Sequence, residues 1–330
     1  MPASTAPPST RVPLWVVVCA LGVPLVLLAA GVVWWRGGLG FLVGREKCVA
    51  TSRAGSVELD PDQAEHAATI AATAGRRDLP ARAVTIGLAA ALQESKLRNL
   101  TSGDHDSAGL FQQRPSTGWG TFDQVTDPVY ASGRFFDALT ETEGWQTLSI
   151  TDAAQAVQQS AFPDAYQQHA EDARILTATF TGRAGSGLTC TVRAEAEAAE
   201  SETVTGLTSR AQRVREEMES AFGALSLGGF APGGVTRADP SAHNDGRAID
   251  VSFRPFDDAE QRRQGWSLAN WLVAHADRLD IALLIYRDQI WSARRSPEGW
   301  RGYTSPFGDP KDPVQRHLDH IHVEVVEGET

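Results

Sequence analysis

Two short stretches hold residue types that could do chemistry together. Residues 241–251 read Ser-Ala-His-Asn-Asp-Gly-Arg-Ala-Ile-Asp-Val, and residues 316–325 read Arg-His-Leu-Asp-His-Ile-His-Val-Glu-Val. His243 and Asp250 are two ligand types for a zinc ion. Alone, such a pair is more often ordinary surface. His322 supplies a third ligand, and three protein ligands with an open fourth position are what a zinc needs to hold and acidify water. Asp319 and His320 stand beside it as candidate proton carriers.

The elements that must position these residues are legible. In Ala248–Ser252, Ile249 and Val251 alternate with Ala248, Asp250 and Ser252, as in a half-buried strand. Gly246 allows a sharp turn before it, so His243 can fold back beside Asp250. In 320–325, Ile321, Val323 and Val325 form one face and His320, His322 and Glu324 the other. His317 reads as surface. Further strands are expected at Ile281–Tyr286 and Gln289–Ala293. One helix is expected over about Asp257–Arg278, and another over Ala211–Ala221 behind a Thr208-Ser209 cap, ended by Gly223. The sum is an α+β region with a small antiparallel sheet.

His-x6-Asp followed by a C-terminal His-x-His resembles the zinc peptidases grouped around D-Ala-D-Ala carboxypeptidases, L-alanyl-D-glutamate endopeptidases and lysostaphin-like enzymes. The likeness covers residues 207–330 and implies Zn2+ on His243, Asp250 and His322. In the carboxypeptidase branch an acid three residues before the last ligand is the base, here Asp319 in place of the usual, longer Glu. In the lysostaphin branch the first His of His-x-His assists, here His320; both are present, so the base is open between them. Arg237 resembles an arginine such enzymes use near the substrate.

Earlier in the chain, Glu94 ends a helix that starts near Pro80, with Asp78 as the expected cap. An acid at that end, with apolar residues below it, is a candidate proton donor, although acids there are usually only solvated. Glu94-Ser95, followed by Ser107-Ala-Gly-Leu-Phe-Gln112, resembles lytic transglycosylases and goose-type lysozymes over residues 60–190. The resemblance implies Glu94 as general acid and a sugar cleft containing Gln112 and Ser107. Asp104 and Asp106 are candidates for the second carboxylate that two-acid glycosidases require, although transglycosylases often lack one and close the sugar on itself. The family's usual later Asn-Ala-Gly is absent; Gln158–Tyr166 stands in its place, and Tyr166 is a candidate cleft residue. Arg114 and Trp119 are equally well read as structural.

The 330 residues carry a net charge of −11, which argues against nucleic acid as a general partner. Residues 1–11 are Pro/Ser/Thr-rich and read as a disordered cytoplasmic tail. Residues 12–35 are apolar and uncharged, about the ~20 residues that span a bilayer, with Trp15, Trp34 and Trp35 near the ends. A cleaved signal peptide is the rival reading. Residues 36–59 read as a juxtamembrane connector and 191–206 as a linker. The surrounding Arg and Lys count would put the body in the cytoplasm. Cys48 and Cys190 point the other way: bracketing about 140 residues, they suggest a disulfide formed in an oxidising compartment, worth roughly 4–5 kcal/mol.

The expected fold class is therefore multidomain: an N-terminal transmembrane helix, a mainly α lysozyme-like domain, then an α+β zinc-peptidase-like domain. The expected function is a membrane-anchored bifunctional peptidoglycan hydrolase of a bacterium, single-pass, with its body facing the cell wall. It would cut glycan strands through Glu94 and stem or cross-link peptides through zinc. The alternatives are a non-catalytic wall-binding scaffold, and a glycan cleaver whose zinc-type domain only binds muropeptides.

Overall fold

The computed structural model describes residues 46–192, 203–236, 241–306, 309 and 311–328. The chain enters as an antiparallel hairpin, β1 (Cys48–Ser52) and β2 (Gly55–Leu59). Helix α1 (Pro61–Gly75) follows, with Asp60 and Gln63 forming a capping box. Helix α2 (Ala81–Ser95) is Ala-rich and buried along almost its whole length. Its Gly87 lets the helix approach Phe136 and Ile70 closely, since an added Cβ would lie 3.1 Å from the Phe136 ring. Pro80, rather than Asp78, occupies its N-cap position.

A loop leads to α3 (Phe122–Val125) and α4 (Pro128–Glu141), whose N-cap Asp127 accepts from Val129 and Tyr130 N–H. Then come α5 (Ile150–Gln158), a 3-10 stretch over Pro163–His169, and α6 (Ala170–Phe180). Strand β3 (Leu188–Cys190) returns to β1 and closes a three-stranded sheet in the order β2-β1-β3. Cys48 faces Cys190 across this pairing, and the two form the expected disulfide.

The second half opens with α7 (Ser209–Phe222), capped by Thr208 as expected. Strands β4 (Leu227–Gly228) and β5 (Ala248–Ser252) follow, then α8 (Ala259–Ala274). Strands β6 (Ile281–Tyr286), β7 (Gln289–Ser292), β8 (Arg301–Gly302) and β9 (His320–Val325) complete an antiparallel sheet in the order β4-β5-β9-β6-β7-β8. Ile249, Val251, Ile321, Val323 and Val325 are buried. The apolar members of the alternating strands thus lie in the core.

The expected fold class needs correction. Among the described residues no helix is long and apolar enough to cross a membrane; the span expected at 12–35, like the tail at 1–11, lies outside them. Residues Glu46–Thr330 form one compact unit, a mixed α/β body with two sheets, in place of a mainly helical domain joined to a separate α+β domain. The hairpin β1–β2 falls in the stretch expected as a connector. The physical reason the halves do not stand apart is α8. Its buried Asn270 donates to the carbonyls of Thr179 (2.8 Å) and Gly185 (2.9 Å), and Ser267 donates to that of Phe180 (2.6 Å). Trp266 and Trp271 on the same helix pack on Tyr286 and Phe222 of the second half.

Candidate functional site

Strand register assembles the first site. Asp250 on β5 lies directly opposite His322 on β9, with Ser252 opposite His320 and Ala248 opposite Glu324. His243 comes from the turn before β5, as Gly246 allows (φ 66°). Its ring reaches Asp250 because Gly229 leaves room: a Cβ there would lie 2.6 Å from His243 Nδ1 and 3.0 Å from Asp250 Oδ2.

The three atoms that converge are His243 Nε2, His322 Nδ1 and Asp250 Oδ1. Their separations are 3.1 Å between the two imidazoles and 3.3 Å from each imidazole to the carboxylate. These are close to the edges of a tetrahedron whose corners lie about 2.0 Å from its centre, the ordinary length of zinc bonds to nitrogen and oxygen. The partners behind the rings favour the tautomers a metal needs. His243 Nδ1 lies 2.9 Å from the Gly229 carbonyl, which can only accept, so Nδ1 carries the hydrogen and Nε2 presents its lone pair. His322 Nε2 faces Glu324 at 3.7 Å, and Arg247 holds Glu324 at 3.0 Å. Three acceptor atoms then meet at one point, an arrangement a cation relieves. His243, Asp250 and His322 form a group that could hold a metal ion.

Burial pushes the Asp250 carboxyl upward, but His243 and His322 outweigh it and hold the group well below the usual carboxylate range. Burial lowers the His322 pKa, and Asp250 and Glu324 more than reverse this.

Asp319 and His320, alternatives in the sequence, occupy different places. Asp319 is 5% exposed. Its Oδ1 lies 2.8 Å from His320 Nδ1, and its Oδ2 accepts from Arg254 Nε (2.9 Å) and Nη2 (2.6 Å). Burial raises its pKa, but His320 and Arg254 prevail and lower it. His320 turns its other nitrogen to the metal group, with Nε2 3.9 Å from Asp250 Oδ1. A groove of about 560 Å3, lined by Arg254, Pro255, Phe256, Pro313, Val314 and Asp319 among others, opens beside them. His317, expected at the surface, packs its ring 4.6 Å from that of His320 and 5.3 Å from that of Tyr303. Its pKa is pushed down to about 3, first by burial and then by His320 and His322. Arg237 lies outside the described residues.

Sequence reasoning missed Arg254, Gly229 and the role of Glu324. Two had a signal: Glu324 shares the alternating face of His320 and His322, and Arg254 continues the series Asp250, Ser252.

In the first half, Tyr166 donates to Glu94 Oε1 at 2.7 Å. The Tyr166 ring is fully buried, and burial followed by Glu94 pushes its pKa far up, so it remains a donor. Ser95 bonds the carbonyls of Ala91 (3.1 Å) and Leu110 (2.7 Å), fastening the end of α2 to the following loop. There Ser107 donates to Gln112 Oε1 (3.0 Å), and Gln112 donates to the Gly109 carbonyl (3.2 Å). Gly103 leaves room for this pair, since a Cβ there would push both side-chain ends aside. Gln112 lines a groove of about 550 Å3 with Trp119, Arg134 and Gln158; Glu94 is not among its lining residues. Asp106 is committed elsewhere, accepting from Ser116 N–H (2.8 Å), Ser116 Oγ (3.0 Å) and Arg114 Nε (3.0 Å). Asp104 has its side chain 97% exposed, beside His105.

Comparison with known proteins touches the second half. Residues 203–318 match the family model described as VldE, C-terminal domain. That match includes His243 and Asp250 and ends one residue before Asp319. No curated protein matches this chain.

Proposed function

We propose that this protein is a zinc-dependent hydrolase of the peptide part of bacterial peptidoglycan, and that its first half acts on the glycan part. The convergence of His243 Nε2, Asp250 Oδ1 and His322 Nδ1 within 3.1–3.3 Å carries the reading, because their spacing suits three ligands of one tetrahedral zinc. The likeness to zinc peptidases of the cell wall supplies the substrate class. Zinc, when bound, contributes Lewis acidity toward a scissile carbonyl and toward water. His320 is then the proton carrier: its Nδ1–H is engaged by Asp319, which leaves the Nε2 lone pair toward the centre. It takes a proton from the attacking water and returns it to the leaving nitrogen as the C–N bond breaks.

In the first half Glu94 is the acid of a glycan-cleaving site, positioned by Tyr166 and Ser95. With Asp106 bound to Arg114 and Ser116, the reading that fits best is single-carboxylate chemistry, in which the sugar closes on itself to an anhydro product. The disulfide supports an oxidising, extracytoplasmic setting, where this substrate lies.

The test is digestion of purified sacculi by the protein, read by mass spectrometry, with Glu94→Gln and His243→Ala alongside. Near one equivalent of zinc, peptide products lost in His243→Ala, and anhydro-sugar products lost in Glu94→Gln are expected. Absence of bound zinc under metal-replete conditions removes the peptidase reading. Zinc binding with no products from well-matched sacculi leaves a wall-binding scaffold.

A further inference from the structure

Among the described residues, Arg254 is the cation whose guanidinium grips the proton-carrying pair. It follows β5 directly, and its side chain is two-thirds exposed, whereas the Asp319 side chain that it holds is 7% exposed. Both Nε and Nη2 converge on the single oxygen Asp319 Oδ2, and the other oxygen is left for His320. The backbone reinforces this: Phe253 N–H donates to the Asp319 carbonyl at 2.7 Å, clamping the end of β5 to the start of β9. Two guanidinium donors on one oxygen pin Oδ2 in place, and with the Asp319 backbone clamped this sets the rotation of the carboxylate about its Cβ–Cγ bond. A carboxylate fixed in plane fixes the imidazole it accepts from. In the neutral imidazole, a hydrogen on Nδ1 leaves the lone pair on Nε2, which faces Asp250.

We propose that Arg254 is a positioning residue for His320, acting through Asp319: it fixes the plane of the carboxylate that holds the imidazole with its hydrogen on Nδ1 and its lone pair toward the metal centre. The proposal rests on reading the site as a metal-dependent hydrolase for its effect on turnover, but its structural part concerns the imidazole alone.

The experiment uses the full chain with zinc, comparing wild type, Arg254→Gln, Arg254→Lys, Asp319→Asn and the double variant Arg254→Gln/Asp319→Asn. Nitrogen-15 NMR of the imidazoles, with His320 assigned by its loss in His320→Gln, reads the tautomer. Muropeptide cleavage reads kcat and KM, and metal analysis reads zinc. The expected result for Arg254→Gln is unchanged zinc, KM within about threefold, a kcat lower by roughly 10–100-fold, and a His320 signal no longer confined to the Nδ1–H form. Arg254→Lys falls between, and the double variant is no worse than Asp319→Asn because both act along one chain of contacts. A His320 tautomer unchanged in Arg254→Gln overturns the proposal, as does loss of zinc in that variant or an additive loss in the double variant. If wild type binds zinc and cleaves no peptide, the hydrolase reading fails while the tautomer comparison still decides the role of Arg254.

Discussion

A candidate ligand set of three side chains depends on residues outside the set. Gly229 is one: at φ 84°, it lies where any Cβ would press on His243 and Asp250. Gly229→Ala is expected to lower zinc affinity by roughly 10–100-fold, measured by competition with a chromophoric chelator; unchanged affinity would show that His243 has room to spare. Tyr166→Phe makes the parallel test at the other site. It removes the donor to Glu94 but keeps the buried ring. Glycan cleavage should fall at least tenfold, while stability drops by only about 1 kcal/mol; equal glycan turnover in the variant would detach Tyr166 from the acid. At this scale the residues of the candidate metal group were readable, because His243, Asp250 and His322 carry their own chemical identity and the last two sit on two-residue alternation. Gly229 was not. Its closeness to Asp250 comes from the pairing of β4 with β5, which sets Gly228 opposite Asp250, two positions far apart in the sequence. Nothing local records that pairing.

Elements with strong periodicity were equally readable. Ala248–Ser252 and Ile281–Tyr286 form with the expected bounds, and α7 begins behind its expected Thr208 cap. The three-stranded sheet was not read, because β2 is largely exposed and β3 is only three residues, so neither carries an apolar alternation like that of Ala248–Ser252. Its stability comes from the disulfide and from packing under α6. The path of α8 was also hidden: its sequence shows an amphipathic helix, but not that a second face serves the first half. Asn270 marks that face. Replacing it with Ala removes one of two donors from each carbonyl, since Thr179 keeps the Gly182 N–H and Gly185 the Gly187 N–H, a loss of about 0.5–1.5 kcal/mol for each bond. Because α8 is shared, Asn270→Ala is expected to lower the midpoint of one common transition in urea, followed by fluorescence and by circular dichroism. Two separated transitions, with only one displaced, would mean that the halves unfold independently.

For the whole molecule, the expectation of separate bodies gives way to one unit, and this changes how stability responds to conditions. Cys48–Cys190 closes a loop of 142 residues, so replacing both cysteines by Ser should cost about 4–5 kcal/mol on the loop-entropy account. In a single unit that loss should appear in the second half as well as the first, as weaker protection of β5 and β9 in hydrogen exchange. The seam between the halves also carries buried histidines. His275 stacks on Trp271 at 3.9 Å and bonds its carbonyl through Nδ1 at 2.8 Å. Burial, first of all, pushes its pKa from 6.5 down to about 3, and burial also lowers His66. In the folded state these rings stay neutral where the unfolded chain takes up protons. Their contribution is therefore complete above pH 6.5 and is lost as pH falls below it, for His275 down to about 3, with a slope of at most about 1.4 kcal/mol per pH unit for each ring. Glu65, raised by burial, works in the opposite sense: protonated longer in the folded state, it makes stability fall as pH rises above 4.5. Unfolding in urea at pH 7, 6 and 5, at matched zinc, should show wild type losing more stability than His275→Gln over that range. The comparison cancels the metal-site histidines, which both proteins share, so parallel profiles would mean that His275 can take up its proton without opening the seam.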